Sequence, residues 1–165
     1  MRIRVRIPQV LTFVALLAIG ALATALTAQY MFDMQPCPWC ILQRLIIIVV
    51  AVLALLGAFA GGRARQLLVG LAFVGALSGV ASALWQHLVA AHEDSCVMSL
   101  ADRITTGLHL DRLMPKLFIA FGGCDEVKPL LGMPFALWSC AMFVILAVLL
   151  AWTLRASLRT ARQAF

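Results

Sequence analysis

Four long apolar stretches, at residues 10–29, 41–60, 67–90 and 135–154, decide most of what this chain can fold into. Each is long enough to cross about 30 Å of hydrocarbon as a helix. Among them only Arg44 adds a permanent charge. The composition agrees, with 64% hydrophobic and 12% charged residues, where soluble domains carry about 25% charged residues. The expected fold is all-α: one integral membrane domain over residues 1–165, a four-helix bundle. Its single extended connection covers 91–134. No segment looks like a nucleic-acid domain that would account for the net charge of +6, so the expected surroundings are a lipid bilayer and no nucleic acid.

The basic residues report orientation instead. Arg2, Arg4 and Arg6 precede the first span, Arg63 and Arg65 separate the second and third, and Arg155, Arg159 and Arg162 follow the fourth. The positive-inside rule assigns all three groups to the cytoplasm. All seven acids, from Asp33 to Glu126, then fall on the opposite side with Cys37, Cys40, Cys96 and Cys124. In a bacterium that side is the oxidising periplasm, where disulfides persist. The basic start and the small residues at 21–28 also suit a secretory signal. The apolar run is longer than a usual signal core, so it is read as an uncleaved helix.

Cys37-Pro38-Trp39-Cys40 stands between the first two spans. A CxxC pair is the minimal unit of thiol–disulfide chemistry. At the lip of a membrane helix it can meet water-soluble thiols on one side and a lipid-soluble electron carrier on the other. The second helix is expected to begin near Cys40, where free amides and the positive dipole end favour a thiolate. Arg44 lies four residues on, hence on the same helical face. A guanidinium near an apolar span is costly unless it meets a partner or water. Holding the Cys40 thiolate or donating to a quinone carbonyl would satisfy it; so would snorkelling to the headgroups.

Within the long connection, 91–109 is polar and reads as a solvated arm. Residues 113–121 read as a short helix in the membrane surface, with Pro115 in its first turn and Gly122-Gly123 at its end. Cys124 follows. The four thiols divide into a local pair, Cys37 with Cys40, and a loop pair, Cys96 with Cys124, although three pairings are open. A loop bridge could be purely structural, worth roughly 3–4 kcal/mol in the chain-entropy model. A zinc site using His87 or His92 lacks a compact second ligand pair, so no metal is expected. Cys140 reads as a packing residue of the fourth span, and Gly75, Gly79 and Ala83 as a face for close helix contact. Trp85 and Trp138 fall near the interface, as anchors or as walls of a ring-binding cleft. His87 and His92 read as surface residues, and Met133-Pro134 as the entry to the fourth span.

The run Gln35-Pro36-Cys37-Pro38-Trp39-Cys40-Ile41-Leu42-Gln43-Arg44, followed by Cys96, Gly123-Cys124-Asp125 and Met133-Pro134, resembles the disulfide bond formation protein B family, DsbB. The resemblance covers nearly the whole chain. It implies a protein-disulfide oxidoreductase of the bacterial inner membrane, both termini cytoplasmic and the redox cysteines periplasmic. Such an enzyme reoxidises a DsbA-like thioredoxin-fold partner and passes electrons to the membrane quinone pool, ubiquinone or menaquinone. By resemblance, Cys96 forms the mixed disulfide with the partner and Cys124 passes electrons on. Cys37 receives them, Cys40 is the quinone-proximal thiol, and Arg44 belongs to the quinone site. In some members a histidine in the upper third span joins that site; Ser82 aligns near it here, and the role is not transferred to His87. Two other possibilities stand beside this one: a DsbI-like or vitamin K epoxide reductase-like oxidase of narrower substrate, and a non-enzymatic scaffold stabilised by disulfides.

Overall fold

A computed structural model describes residues 7–92, 99–120 and 132–162. Four long helices, α1 (Ile7–Met31), α2 (Pro38–Phe59), α3 (Gly62–Leu88) and α7 (Phe135–Arg162), dominate it. Between α3 and α7 come a 3₁₀ turn, Ala90–His92, and three short helices, α4 (Leu100–Gly107), α5 (Leu110–Leu113) and α6 (Pro115–Phe118). All four long helices are apolar and long enough to cross a membrane. The fold class is therefore an all-α membrane bundle. Around the bundle α1 neighbours α2, α2 neighbours α3, α3 neighbours α7, and α7 returns to α1.

Small residues make this packing close. The core is built from Leu11, Val14 and Ala18 of α1, Val50 and Ala54 of α2, Val69, Ala72 and Ala76 of α3, and Phe143, Leu146 and Leu150 of α7. Large apolar side chains such as Phe13, Leu16, Phe59, Val74 and Val148 point outward, an arrangement suited to lipid and unusual for a soluble surface. Outward hydroxyls are satisfied within their own helix: Thr12, Thr24 and Thr27 donate to the carbonyls of Pro8, Gly20 and Ala23 at 2.9–3.0 Å. That is what a hydrocarbon medium demands of polar groups.

The glycine face on α3 works as expected. A Cβ on Gly79 would stand 2.3 Å from the Phe143 ring of α7, and one on Gly75 would stand 3.1 Å from Val50 of α2. At the far end, the α2–α3 turn uses Gly62 at φ +53°. There Arg65 donates to the carbonyls of Gly57 and Ala60, at 3.2 and 2.6 Å, and closes the C-terminus of α2. Gln66 reaches the Ser157 carbonyl at 3.4 Å, so the arginine-bearing ends of α3 and α7 lie together.

The long connection differs from expectation. The 91–109 segment is no simple solvated arm. Ser99 caps α4 by accepting the Asp102 amide at 3.3 Å, and Ala101 and Thr105 are buried as α4 packs on α2. Serine followed three residues later by an acid is itself a helix-start signal. Of the helix expected over 113–121, only Pro115–Phe118 forms among the described residues, with Pro115 at its start. Met114, at φ −140° and ψ 71°, breaks α5 from α6, because the residue before a proline avoids helical geometry. Gly122-Gly123, Cys96 and Cys124 lie outside the described residues.

The Gly79–Phe143 contact gives a direct test. Gly79→Ala gains up to about 1 kcal/mol of helix propensity but overpacks the core at a cost of about 1–3 kcal/mol. We expect a lower thermal midpoint in detergent, partly restored by adding Phe143→Leu. Gly20→Ala, whose Cβ meets nothing within 4 Å, should be neutral or stabilising. A Gly79→Ala protein as stable as the parent would contradict the close packing.

Candidate active site

The start of α2 organises the site. Cys37 is its N-cap, at φ −83° and ψ 166°, and its sulfur accepts the Cys40 amide at 3.3 Å. Pro38 occupies the first helical position, where a missing N–H costs nothing. The helix thus begins two residues earlier than expected, and Cys40 sits within its first turn. This places both sulfurs at the positive end of α2. Cys37 and Cys40 are free thiols with their sulfurs 2.8 Å apart, 0% and 9% exposed respectively.

A chain of polar side chains reaches the thiols from two other helices. Gln86 of α3 donates through Nε2 to the sulfurs of Cys37 and Cys40, at 3.3 and 3.2 Å. Its Oε1 accepts from Nε2 of Gln43, on α2, at 2.7 Å. The Gln43 Oε1 accepts in turn from the Ser139 hydroxyl of α7 at 2.5 Å. Gln43 and Gln86 are only 5% and 3% exposed. Each amide therefore meets partners inside the protein where water is excluded.

Arg44 is buried too, at 6% exposure, and does not snorkel. Its Nη1 donates to Gln29 Oε1 at 2.7 Å and to the Leu117 carbonyl at 3.1 Å. The Tyr30 hydroxyl donates to the adjacent Lys116 carbonyl at 2.6 Å. Two carbonyls at the end of α6, which a four-residue helix leaves unsatisfied, are thus taken up by the bundle. The cation facing Cys40 also anchors the connection.

Arg44, Cys40 and Gln43 share one cleft of about 190 Å³ between α1 and α7. Ala21, Leu22 and Ala25 form one wall, and Phe135, Trp138 and Ser139 the other. It is apolar except at the end where the guanidinium, hydroxyl and thiol converge. On the opposite face of α2 a second groove runs between α3 and α4, where Trp39 and Trp85 tilt against each other at 6.4 Å. Trp138 is therefore a cleft residue, whereas Trp85 belongs to the other groove.

Cys37, Cys40 and Arg44 are brought together. Cys96 and Cys124 fall outside the described residues. Cys140 is a half-buried free thiol beside Ser139 and is not among the cleft residues. His92 is exposed and His87 half-buried; it is the neighbouring Gln86 that meets the sulfurs. Among the described residues no three His, Cys, Asp or Glu side chains form a metal-binding group. Sequence reasoning missed Gln29, Tyr30, Gln43, Gln86 and Ser139 as site residues. The usable signal was depth: Gln43, Gln86 and Ser139 interrupt three apolar stretches near the same end, and intramembrane polar groups need partners.

A sequence-family model described as "Disulfide bond formation protein DsbB" matches residues 8–153. Disulfide bond formation protein B 1 of Pseudomonas syringae pv. syringae is 33% identical over 144 residues, covering 84% of each chain. Disulfide bond formation protein B 2 of Burkholderia lata is 35% identical over 155 residues, covering 88% of this chain and 92% of that one. Disulfide bond formation protein B of Herminiimonas arsenicoxydans is 31% identical over 146 residues. The apolar bundle, the paired thiols at its end and these similarities lead to one assignment: the chain belongs to the DsbB family, as a multi-pass inner-membrane disulfide oxidoreductase.

Proposed function

We propose that the protein reoxidises a periplasmic, DsbA-like dithiol partner and delivers the electron pair to a membrane quinone. The observation that carries this reading is the shared cleft: Cys40 and Arg44 converge at the polar end of an apolar slot between two membrane helices. The net change is partner dithiol plus quinone giving partner disulfide plus quinol. When bound, a quinone takes up two electrons and two protons and leaves as quinol. The donor set suits such a ligand. A guanidinium has five N–H donors, and Nη1 carries the two bonds described above. The Trp138 ring flanks the same space, beside Ser139, whose proton is already given to Gln43.

The thiols divide the work. A partner thiolate attacks Cys96 in a Cys96–Cys124 disulfide, forming a mixed disulfide and releasing Cys124 as thiolate. The second partner thiolate displaces Cys96, leaving an oxidised partner and a reduced loop pair. That pair reduces a Cys37–Cys40 disulfide through Cys37, and the electrons leave from Cys40. Each exchange needs a thiolate and an accessible sulfur. Both termini lie in the cytoplasm and the 91–134 connection in the periplasm, as the arginines at the end away from the thiols favour.

Three outcomes test the reading. A phosphatase reporter fused within 91–134 should be active and one fused after Phe165 inactive; the reverse pattern overturns the orientation. Mixed with the partner in its disulfide form, Cys124→Ser should accumulate a mixed disulfide between partner and Cys96: the Cys96 thiolate opens the partner's disulfide, and Cys124, which would complete that exchange, is gone. Cys96→Ser should abolish turnover with the partner. Mass spectrometry finding the partner linked mainly to Cys37 would refute the relay order.

Arg44→Lys keeps the charge and loses the planar fork. We expect apparent quinone affinity to fall about tenfold to a hundredfold, the worth of a hydrogen bond to a charged group, while partner exchange with the loop pair continues. Unchanged quinone kinetics in both Arg44→Lys and Arg44→Ala would remove the quinone from this cleft.

A further inference from the structure

The Gln86 amide has two unlike ends, and the structure shows which one faces the sulfurs. Its Nε2 stands 3.3 Å from Cys37 Sγ and 3.2 Å from Cys40 Sγ. An amide nitrogen offers two N–H donors, one for each sulfur. At 3% exposure no bulk water competes for them.

This orientation is continuous with a series of bonds that reaches α7. Ser139 donates to Gln43 Oε1, which turns the Gln43 Nε2 toward Gln86. The Gln86 oxygen must accept that N–H, so its nitrogen is left for the thiols. Every bond in the series Ser139, Gln43, Gln86, sulfur runs in the same donor-to-acceptor direction. Reversing the last amide would set two N–H groups against each other at 2.7 Å.

We propose that Gln86 is a positioning residue for the Cys37–Cys40 pair, and that Gln43, whose N–H meets the Gln86 oxygen, holds that amide with its donors toward both sulfurs. The proposal rests on the reading of Cys37 and Cys40 as redox thiols. A donor supports whichever sulfur carries negative charge, because hydrogen bonding to a charged form favours that form. The same amide spans both sulfurs, so it can follow the charge from one to the other during exchange without rearrangement. It also tells α3 and α7 apart from mere packing partners: each contributes one side chain to the state of the thiols.

The test uses the full-length protein carrying Cys96→Ser, Cys124→Ser and Cys140→Ala, so that Cys37 and Cys40 are its thiols. No quinone and no protein partner is added, so the outcome does not depend on either. Two quantities are read at fixed neutral pH: the rate of alkylation of the reduced pair by iodoacetamide, and the dithiol–disulfide equilibrium against glutathione. Gln86→Met keeps the volume and removes the donors. We expect alkylation to slow about tenfold and the equilibrium to move about tenfold toward the disulfide, the scale of one hydrogen bond to a charged group.

Gln86→Asn, which keeps an amide but draws it back, should move both readouts the same way and serves if the Met variant folds poorly. A merely structural role predicts the opposite sign for alkylation, since loosened packing exposes buried sulfurs. Gln43→Met should give a smaller change than Gln86→Met, and that change should vanish in the Gln86→Met background, as for residues acting through one another. Unchanged or faster alkylation in the Gln86 variants overturns the positioning role. A Gln43→Met effect that persists undiminished without Gln86 overturns the polarity argument.

Discussion

A guanidinium and two carboxamides are buried at one end of a bundle whose surroundings offer them nothing. Leaving such a group unpaired costs about 1–3 kcal/mol, and more for a charge, whereas a hydrogen bond between membrane helices contributes on average only about 0.6 kcal/mol. The inequality decides what these groups do. They add little to holding the helices together, but they strongly penalise any register in which a partner is missing. Arg44 is satisfied only if the end of α1 brings Gln29 and the connection brings the Leu117 carbonyl. Gln43 is satisfied only if α3 and α7 present Gln86 and Ser139 at the same depth. The opposite end follows simpler rules, with Arg65 closing α2 through the Gly57 and Ala60 carbonyls.

The placement of the chemistry follows from that polar end. The Cys37 N-cap and the Pro38 start hold two thiols at the first turn of α2, and the polar chain meets them there. Arg44 faces two ways, toward the Cys40 cleft and toward the α6 carbonyl. One side chain therefore links the membrane-facing slot to the connection that leads to Cys124.

How far the sequence revealed this depended on the kind of signal. Hydropathy located the four spans, because about 20 apolar residues have few other uses. Their ends were less legible: Cys37 and Pro38 start α2 ahead of Cys40 through cap chemistry, which apolarity does not register. The docked helix α4 was masked by its polar composition, although Ser99 and Asp102 carried a start signal. Cys37, Cys40 and Arg44 stood out by spacing. Gln86 and Ser139 did not, since a single amide or hydroxyl in an apolar stretch has no local pattern, and its role exists only once three helices align. Gln29 and Tyr30 were hidden for the same reason, their partners being 15 and 86 residues away.

The central claim is that two linked thiol pairs carry electrons from a protein dithiol to a quinone. The most direct measurement mixes the purified protein anaerobically with a ubiquinone analogue and a reduced thioredoxin-fold dithiol protein, while quinone absorbance and partner thiols are followed together. The account predicts one quinone reduced per partner disulfide formed, and no quinone loss when Cys40→Ser replaces the parent. Partner oxidation without quinone consumption, or quinone reduction that survives loss of Cys40, would contradict it.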